Sequence, residues 1–168
     1  MTAFEVPRAD LVASLAARAR GPAFVLTGPP GAGKSWLLRA LRSRLLAEGA
    51  LPIYLDLFGA ASSPDRFVSA ALRALPAGPL AEALPSATRL RLLAEGGRER
   101  GAEAVRALLD FLATLAGAGG RPVVLLLDEP TEIKSLAYFL GLRDVHESFG
   151  AALGRRDRKS TRLNSSHG

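Results

Sequence analysis

The stretch "GPPGAGKS" at residues 28–35 has residue types and spacing that indicate a specific chemistry. It matches the pattern G-x-x-x-x-G-K-[ST] at every required position. Its three glycines let the backbone curl so that successive N–H groups face inward and form a nest of donors for phosphate oxygens. Lys34 would reach the β- and γ-phosphates as a point charge, and the Ser35 hydroxyl would be a ligand of Mg²⁺. The stretch therefore predicts a site for a nucleoside triphosphate and Mg²⁺.

Every residue of this stretch, and the residue after it, is a candidate nucleotide contact. These residues are Gly28, Pro29, Pro30, Gly31, Ala32, Gly33, Lys34, Ser35 and Trp36. Trp36 stands one turn into a predicted helix, where packing within the domain is the favoured interpretation. The alternative for the whole stretch is a Gly/Pro-rich turn that ends in Lys-Ser by chance. The match at every position favours phosphate binding.

A second candidate group is the acidic pair Asp128–Glu129, which follows the apolar run "VVLLL". It lies at the carboxyl end of a predicted buried strand, where open α/β sheets bind ligands. We expect Asp128 to hold Mg²⁺ through water and Glu129 to polarise the attacking water as general base. An acidic pair that merely ends a strand is the alternative. The candidate catalytic residues are thus Glu129 and Lys34, and the candidate metal ligands are Ser35 and Asp128.

The elements that must position these residues alternate between helix and strand. The predicted elements are a helix from Pro7 to Gly21-Pro22, a strand over 23–27, a helix from Lys34, a strand over 52–57, a helical region over 65–116 interrupted near 76–79, 85 and 96–97, and a strand over 123–130. The unbroken apolar run of the last strand is typical of a central parallel strand that is covered on both faces. The alternation predicts an α/β fold.

Composition narrows the classes of protein that fit. The 168 residues, 48% of them hydrophobic, are enough for one globular domain. The absence of Cys excludes disulfides and thiolate metal sites, and His146 and His167 stand in no ligand pattern, so no metal site built from protein ligands alone is expected. The first residues do not form a signal peptide, and no apolar run approaches the roughly 20 residues of a membrane helix. We expect a cytoplasmic protein without membrane insertion.

The net charge of +6 is only a weak argument for nucleic-acid binding. Part of this charge lies in residues 157–168, and the other arginines are spread through helical segments beside Glu and Asp. Such a distribution is typical of solvated helix faces. Nucleic-acid binding is therefore not expected of this domain and stays open for a longer parent protein.

Three segments resemble AAA-like and STAND-like ATPases related to origin-recognition and archaeal-type ATPases. These are "EVPRADLVASLAARARGPAFVLTGPPGAGKSWLLRAL", "PIYLDL" and "VVLLLDE". The resemblance covers about residues 4–140 and implies a P-loop NTPase fold, a three-layer α/β/α sandwich with a mainly parallel sheet. It also implies that ATP and Mg²⁺ bind and that hydrolysis drives a conformational switch, with a protein partner or self-association. Asp56 ends the second strand, as in this group, and a plain turn residue is the equal alternative.

Other nucleotide-binding classes fit less well. An ABC-type ATPase would need a glutamine loop and a signature before the last strand, and the chain contains no Gln. A small-molecule kinase would usually have its loop nearer the N-terminus and no adjacent catalytic Glu, and a GTPase would need an Asn-Lys-x-Asp motif. A non-hydrolysing, nucleotide-gated interaction module stays open, because binding and hydrolysis require different residues.

The last residues differ in composition from the rest. "DRKSTRLNSSH" at 157–167 resembles the translation of a widely used short-read sequencing adapter. We therefore expect residues 1–156 to be the N-terminal part of an ATPase domain and 157–168 to be a non-native tail without fixed structure. A basic tail on a nucleic-acid-binding protein is the alternative. The sensor residue, the lid and the arginine finger that the resemblance implies would then lie beyond the chain, so we expect weak ATP binding and little hydrolysis.

Overall fold

The computed structural model describes residues 8–21, 24–75, 85–118 and 120–154. Helices and strands alternate along these ranges. The helices are α1 (Arg8–Arg18), α2 (Lys34–Ala47), α3 (Pro64–Ala74), α4 (Pro85–Glu95), α5 (Gly101–Ala118), α6 (Ile133–Leu136) and α7 (Val145–Gly154), and the strands are β1 (Leu51–Asp56) and β2 (Val123–Asp128). Short 3₁₀ turns occupy Ala60–Ser62, Gly97–Arg100 and Pro130–Glu132.

The two strands form a parallel pair, as the sequence predicts. Their register runs from Leu51 opposite Val123 to Asp56 opposite Asp128. Two parallel strands cannot be joined by a tight turn and need a long crossover. Helices α3, α4 and α5 provide that crossover. The register brings the carboxyl ends of both strands, each an aspartate, to the same edge of the sheet.

One face of the sheet packs against the crossover helices. The odd-numbered residues of β1, together with Leu57, belong to the larger hydrophobic cluster, because successive side chains of a strand point to opposite faces. Phe67 on α3 and Phe111 on α5 are each only 1% exposed in this cluster. The amphipathic α3 begins with Pro64 at its first turn, where a missing N–H costs nothing.

The opposite face packs against α1 and α2. Val124 and Leu126 of β2 join Leu41 and Leu45 of α2 in a second cluster. The arginines of α2 lie away from this stripe, as the three- and four-residue spacing of its leucines predicts. Helices therefore cover both faces of the sheet, and the predicted three-layer α/β/α arrangement is confirmed.

The predicted strand over 23–27 is wrong for the residues that the structure describes. Residues 24–27 have no regular secondary structure. Phe24 and Leu26 pack against the second cluster, while Val25 is 75% exposed, so burial alternates as in a strand. A strand also needs a hydrogen-bonded neighbour, and within the described ranges β2 pairs only with β1. Because β2 has a single neighbouring strand in these ranges, the expectation that it is a central strand of the sheet is wrong, although helices cover both of its faces.

The long helical region is divided as its prolines and glycines suggest. Pro64 and Pro85 each begin a helix, so a helix boundary lies at Pro85, where the sequence predicts an interruption. Gly97 has a positive φ of 59° between α4 and α5, so the predicted interruption there is confirmed. The predicted interruption at 76–79 lies outside the described residues, as do the expectations for 157–168.

An ion-pair cluster joins the ends of α1 and α2. Glu48 accepts hydrogen bonds from Arg44, one turn earlier, and from Arg20, at 2.7 Å, just after α1. The hydrogen bond from Arg44 is the largest cause of the lowered pKa of Glu48; burial opposes it as the next largest effect, and the charges of Arg44 and Arg20 lower the pKa further. The cluster links the two helices that flank the glycine-rich loop.

No helix in the described ranges is both long and apolar enough to cross a bilayer.

Candidate functional site

The glycine-rich loop connects residues 24–27 to α2. Gly31 and Gly33 have φ values of 78° and 80°, in the left-handed region that glycine adopts without steric cost. The amide of Ala32 donates to the carbonyl of Pro29 at 3.2 Å and closes a tight turn. Gly28 has no positive φ, and a Cβ there would meet the Ala32 side chain at ordinary contact distance. Two of the three glycines are thus required by backbone conformation.

The N-terminus of α2 carries donors without acceptors. Its N-cap, Gly33, has no side chain to cap the helix, and the first turn contains no acidic residue. The first bond from α2 to the loop is from the Leu37 amide to the Gly33 carbonyl at 2.9 Å. The amides of the first turn therefore lack intrahelical acceptors, and they add to the positive end of the helix dipole. Such an end favours an anion.

Lys34 lies folded back across the loop. Its Nζ donates to the carbonyl oxygens of Gly28 at 2.9 Å and Pro29 at 3.0 Å. Both carbonyls belong to the first turn of the phosphate-binding pattern. The ammonium group is thus held over the loop by two neutral acceptors, which an anionic acceptor would replace with a stronger, charge-assisted bond.

Arg8 contacts the loop from α1. Its guanidinium carbon lies 5.0 Å from the centre of the Trp36 ring, within the range of a cation–π interaction. A Cβ added at Gly33 would lie 3.0 Å from Nη1 of Arg8. Trp36 is 49% exposed, so the expectation that it packs within the domain is only half met. Arg8 was not predicted as a residue of this site. The only sequence feature that could have indicated it is its position at the start of the helix that precedes the loop.

Asp128 lies on the face of the sheet that α2 covers. It shares this face with Val124 and Leu126 and is only 5% exposed. Its Oδ2 accepts a hydrogen bond of 2.8 Å from the hydroxyl of Tyr54. Burial, and then this bond, raise the pKa of Tyr54 to about 12, with Arg39 opposing the shift. Tyr54 is a second residue that sequence reasoning missed, because the bond depends on the register of the sheet.

Glu129 leaves the strand. Its φ of 51° and ψ of 54° are left-handed, and among the described residues it is the one non-glycine residue with a positive φ. This conformation turns the chain into the 3₁₀ turn at Pro130, and the Glu129 side chain is exposed. A left-handed non-glycine residue costs of order 1 kcal/mol, and such strain concentrates at functional sites. The structure thus places the two acidic residues differently, with Asp128 buried beneath α2 and Glu129 in solvent.

Asp56 lies beside Asp128 at the end of β1. The two residues are register partners in the parallel pair. Oδ1 of Asp56 accepts the Phe58 amide at 3.0 Å, an arrangement that stabilises the turn after the strand. The turn role is therefore present in the structure. The sheet brings both aspartates to the edge where ligands of α/β proteins bind.

The oxygen atoms at this edge suit a hard cation. Mg²⁺ prefers carboxylate and hydroxyl oxygens and keeps several waters. Asp128 is a buried carboxylate with no ion-pair partner among the residues described, and an uncompensated buried charge is costly. The residues present therefore fit a magnesium site completed by nucleotide and water. No group of three or more metal-ligating side chains occurs in the described part of the chain.

Comparison with known proteins gives one family. The model of the AAA ATPase domain matches residues 7–155 and so includes the loop, both strands and the acidic pair. Neither the curated proteins nor the solved structures provide a significant match.

Proposed function

Because the chain belongs to the AAA ATPase domain family, we propose that residues 28–35 bind ATP with Mg²⁺ and that the protein in its full-length form hydrolyses this ATP to drive a conformational switch. The family makes the chain a P-loop ATPase domain with an α/β fold. The conformation of the loop supports the proposal most directly. Two left-handed glycines, an uncapped helix N-terminus and an overlying ammonium group form a set of donors suited to phosphate oxygens.

Each polar residue has a proposed role in binding. The amides of the loop and of the first turn of α2 receive the phosphate oxygens, and Lys34 moves from the loop carbonyls to the β- and γ-phosphates. The Ser35 hydroxyl would hold Mg²⁺ directly and Asp128 would hold it through water, and the ion would supply positive charge beside the phosphate oxygens.

Hydrolysis needs a base for the attacking water. In the proposed reaction the oxygen of water bonds to the γ-phosphorus, and the bond from that phosphorus to the β-bridging oxygen breaks. A carboxylate oxygen of Glu129 takes the proton of the water, which leaves ADP and phosphate. Lys34 Nζ donates to the carbonyls of Gly28 and Pro29, and its transfer from these acceptors to the phosphates would be one step of the proposed switch.

A nucleotide titration tests the binding site. Trp36 is the single tryptophan of the chain and lies at the start of α2, so its emission reports on the loop. Lys34→Ala should weaken ATP binding by roughly tenfold or more, because a charge-assisted bond is lost. Lys134→Ala, at an exposed position on α6, is the matched control and should bind as the parent does. Equal dissociation constants for Lys34→Ala and the parent, measured up to millimolar ATP, would refute the site.

A second candidate is a nucleotide-gated interaction module that does not hydrolyse ATP. The left-handed, exposed position of Glu129 favours it, since a general base must reach the water it activates. ATP binding without measurable phosphate release by the full-length protein would support this second candidate. GTP should compete poorly in either case, because no guanine-reading motif is present.

We also propose that the protein binds a protein partner, which can be a second copy of the chain. Large apolar side chains stand in solvent at Val25, Phe58, Tyr138 and Leu140, each at least 75% exposed. Exposed apolar groups of this size favour association. Sedimentation of the chain at increasing concentration tests this, and a constant monomer mass would contradict self-association.

A further inference from the structure

The hydrogen bond between Tyr54 and Asp128 crosses from β1 to β2. The register places Tyr54 opposite Leu126, so Asp128 is its diagonal neighbour, two residues further along β2. Residues two apart on a strand share a face, and diagonal neighbours are within reach of long side chains. The tyrosine ring packs in the second cluster beneath α2, and its hydroxyl reaches Oδ2 at 2.8 Å. The contact is therefore fixed by the pairing of the strands.

The Tyr54 hydroxyl gives the buried Asp128 carboxylate a hydrogen-bond donor. Asp128 has no Lys or Arg partner among the described residues, so its charge is not cancelled within them. A hydroxyl donor to a carboxylate forms a strong, charge-assisted bond yet leaves the negative charge in place. The arrangement orients the group, occupies Oδ2 and preserves the attraction of the carboxylate for a cation.

The same hydroxyl also links the strand to the helix that carries the loop. Arg39, on α2, lies close enough to the Tyr54 hydroxyl to oppose the rise in the pKa of Tyr54. Arg39 lies just over one helical turn after Lys34 and Ser35 on the same helix. Tyr54 thus stands between the element that presents Ser35 and the strand that presents Asp128.

We propose that Tyr54 is a positioning residue for magnesium, holding the Asp128 carboxylate in a fixed orientation through its bond to Oδ2. The inference rests on the proposed function, since it assigns a partner to one of the proposed magnesium ligands. Groups that orient metal ligands through hydrogen bonds change metal affinity by about 10–100-fold when removed. Tyr54 should therefore affect the magnesium-dependent part of nucleotide binding and leave the magnesium-independent part unchanged.

The test compares Tyr54→Phe with Tyr138→Phe. The first change removes only the hydroxyl, and the second removes the hydroxyl of the other tyrosine, which is 92% exposed. Affinity for a fluorescent ATP analogue is measured in EDTA and in Mg²⁺. In EDTA all three proteins should bind equally. The gain in affinity on adding Mg²⁺ should fall roughly tenfold in Tyr54→Phe and stay at the parent value in Tyr138→Phe.

A double-mutant cycle separates positioning from a general structural effect. In an Asp128→Asn background, Tyr54→Phe should not change the magnesium gain further. A loss that persists in that background, or a loss seen equally in EDTA, would overturn the inference. Equal magnesium gains in Tyr54→Phe and the parent would also overturn it, while the proposed function would stand on the Lys34→Ala result. A parent that binds no ATP would overturn both.

A measurement on the parent protein alone tests the inference even if Tyr54→Phe does not fold. With ¹³C-labelled tyrosine, adding Mg²⁺ to the ATP-saturated parent should shift the ring resonances of Tyr54 and leave those of Tyr138 in place. Unchanged Tyr54 resonances would overturn the inference.

Discussion

The guanidinium of Arg8 lies over the indole of Trp36, with 5.0 Å between the guanidinium carbon and the ring centre. This contact ties the first residue of α1 to the first turn of α2. A second pair, Arg18 with Phe24 at 5.5 Å, joins the other end of α1 to the segment before the loop. Helix α1 is thus attached on both sides of the phosphate-binding stretch.

Arg8→Ala should change the emission of Trp36 and leave a folded protein. At an exposed site a cation–π pair contributes about 0.5–1 kcal/mol, so the free energy of unfolding in urea should fall by no more than that. Arg18→Ala is the control, because it removes a cation from the same helix and contacts no tryptophan. An emission spectrum for Arg8→Ala that matches those of the parent and Arg18→Ala would contradict the contact.

Gly33→Ala should abolish nucleotide binding as well as lower stability. The φ of 80° at Gly33 makes any Cβ costly, by about 1–2 kcal/mol. The new Cβ would also lie 3.0 Å from Nη1 of Arg8 and would push that side chain away. Gly49→Ala is a matched control, because Gly49 has a φ of 79° and open space around its Cβ position. Urea unfolding should show similar losses in both variants, whereas only Gly33→Ala should lose ATP binding. Parent-like ATP binding by Gly33→Ala would contradict the role of this glycine.

Glu129 allows strain and catalysis to be tested separately. Glu129→Gly should raise the free energy of unfolding by about 1 kcal/mol, because glycine adopts the left-handed conformation freely. Glu132→Gly, at a φ of −65°, should lower it instead. In the full-length protein, Glu129→Gln keeps the backbone and should retain ATP while losing turnover, whereas Asp128→Asn should weaken magnesium-dependent binding. Phosphate release by this Glu129→Gln variant at the rate of the full-length parent would exclude Glu129 as the base.

Stability should depend on pH through Glu48. Its pKa is lowered in the folded protein, chiefly by Arg44, so its contribution to stability is present above the unfolded value near 4.5 and is lost as pH falls through the lower folded value. Glu48→Gln should therefore be less stable than the parent at pH 7, and the difference should shrink as pH drops from 4.5. Added salt should also reduce it. A stability difference that is independent of pH and salt would show that the ion pairs contribute nothing.

Local patterns were enough to predict the elements around the loop. The leucine spacing of α2, the glycines before it and the apolar run of β2 each carry their signal within a few residues. The unpaired segment 24–27 was predicted wrongly, because its alternating apolar residues resemble a strand and pairing depends on residues far away in the chain. The bond from Tyr54 to Asp128 was not predictable for the same reason, since it requires the exact register.

The conformation of Glu129 was also beyond local reasoning. Propensities favour helix for a glutamate and do not predict a left-handed residue at the end of an apolar run. Asp56 illustrates an intermediate case. The sequence left two interpretations open, and the structure supplies the turn bond to Phe58 beside a register position next to Asp128.

The parallel pairing of β1 and β2 also affects how the chain reaches its fold. Leu51 pairs with Val123, so the long chain segment between them must close into a loop for the first ladder bond to form. Such high contact order is typical of slow folding, since loop closure costs entropy before any contact compensates for it. During synthesis the apolar face of α2 emerges well before Val124 and Leu126 arrive to cover it. The nascent chain therefore passes through a period in which that face is available to chaperones or to other chains.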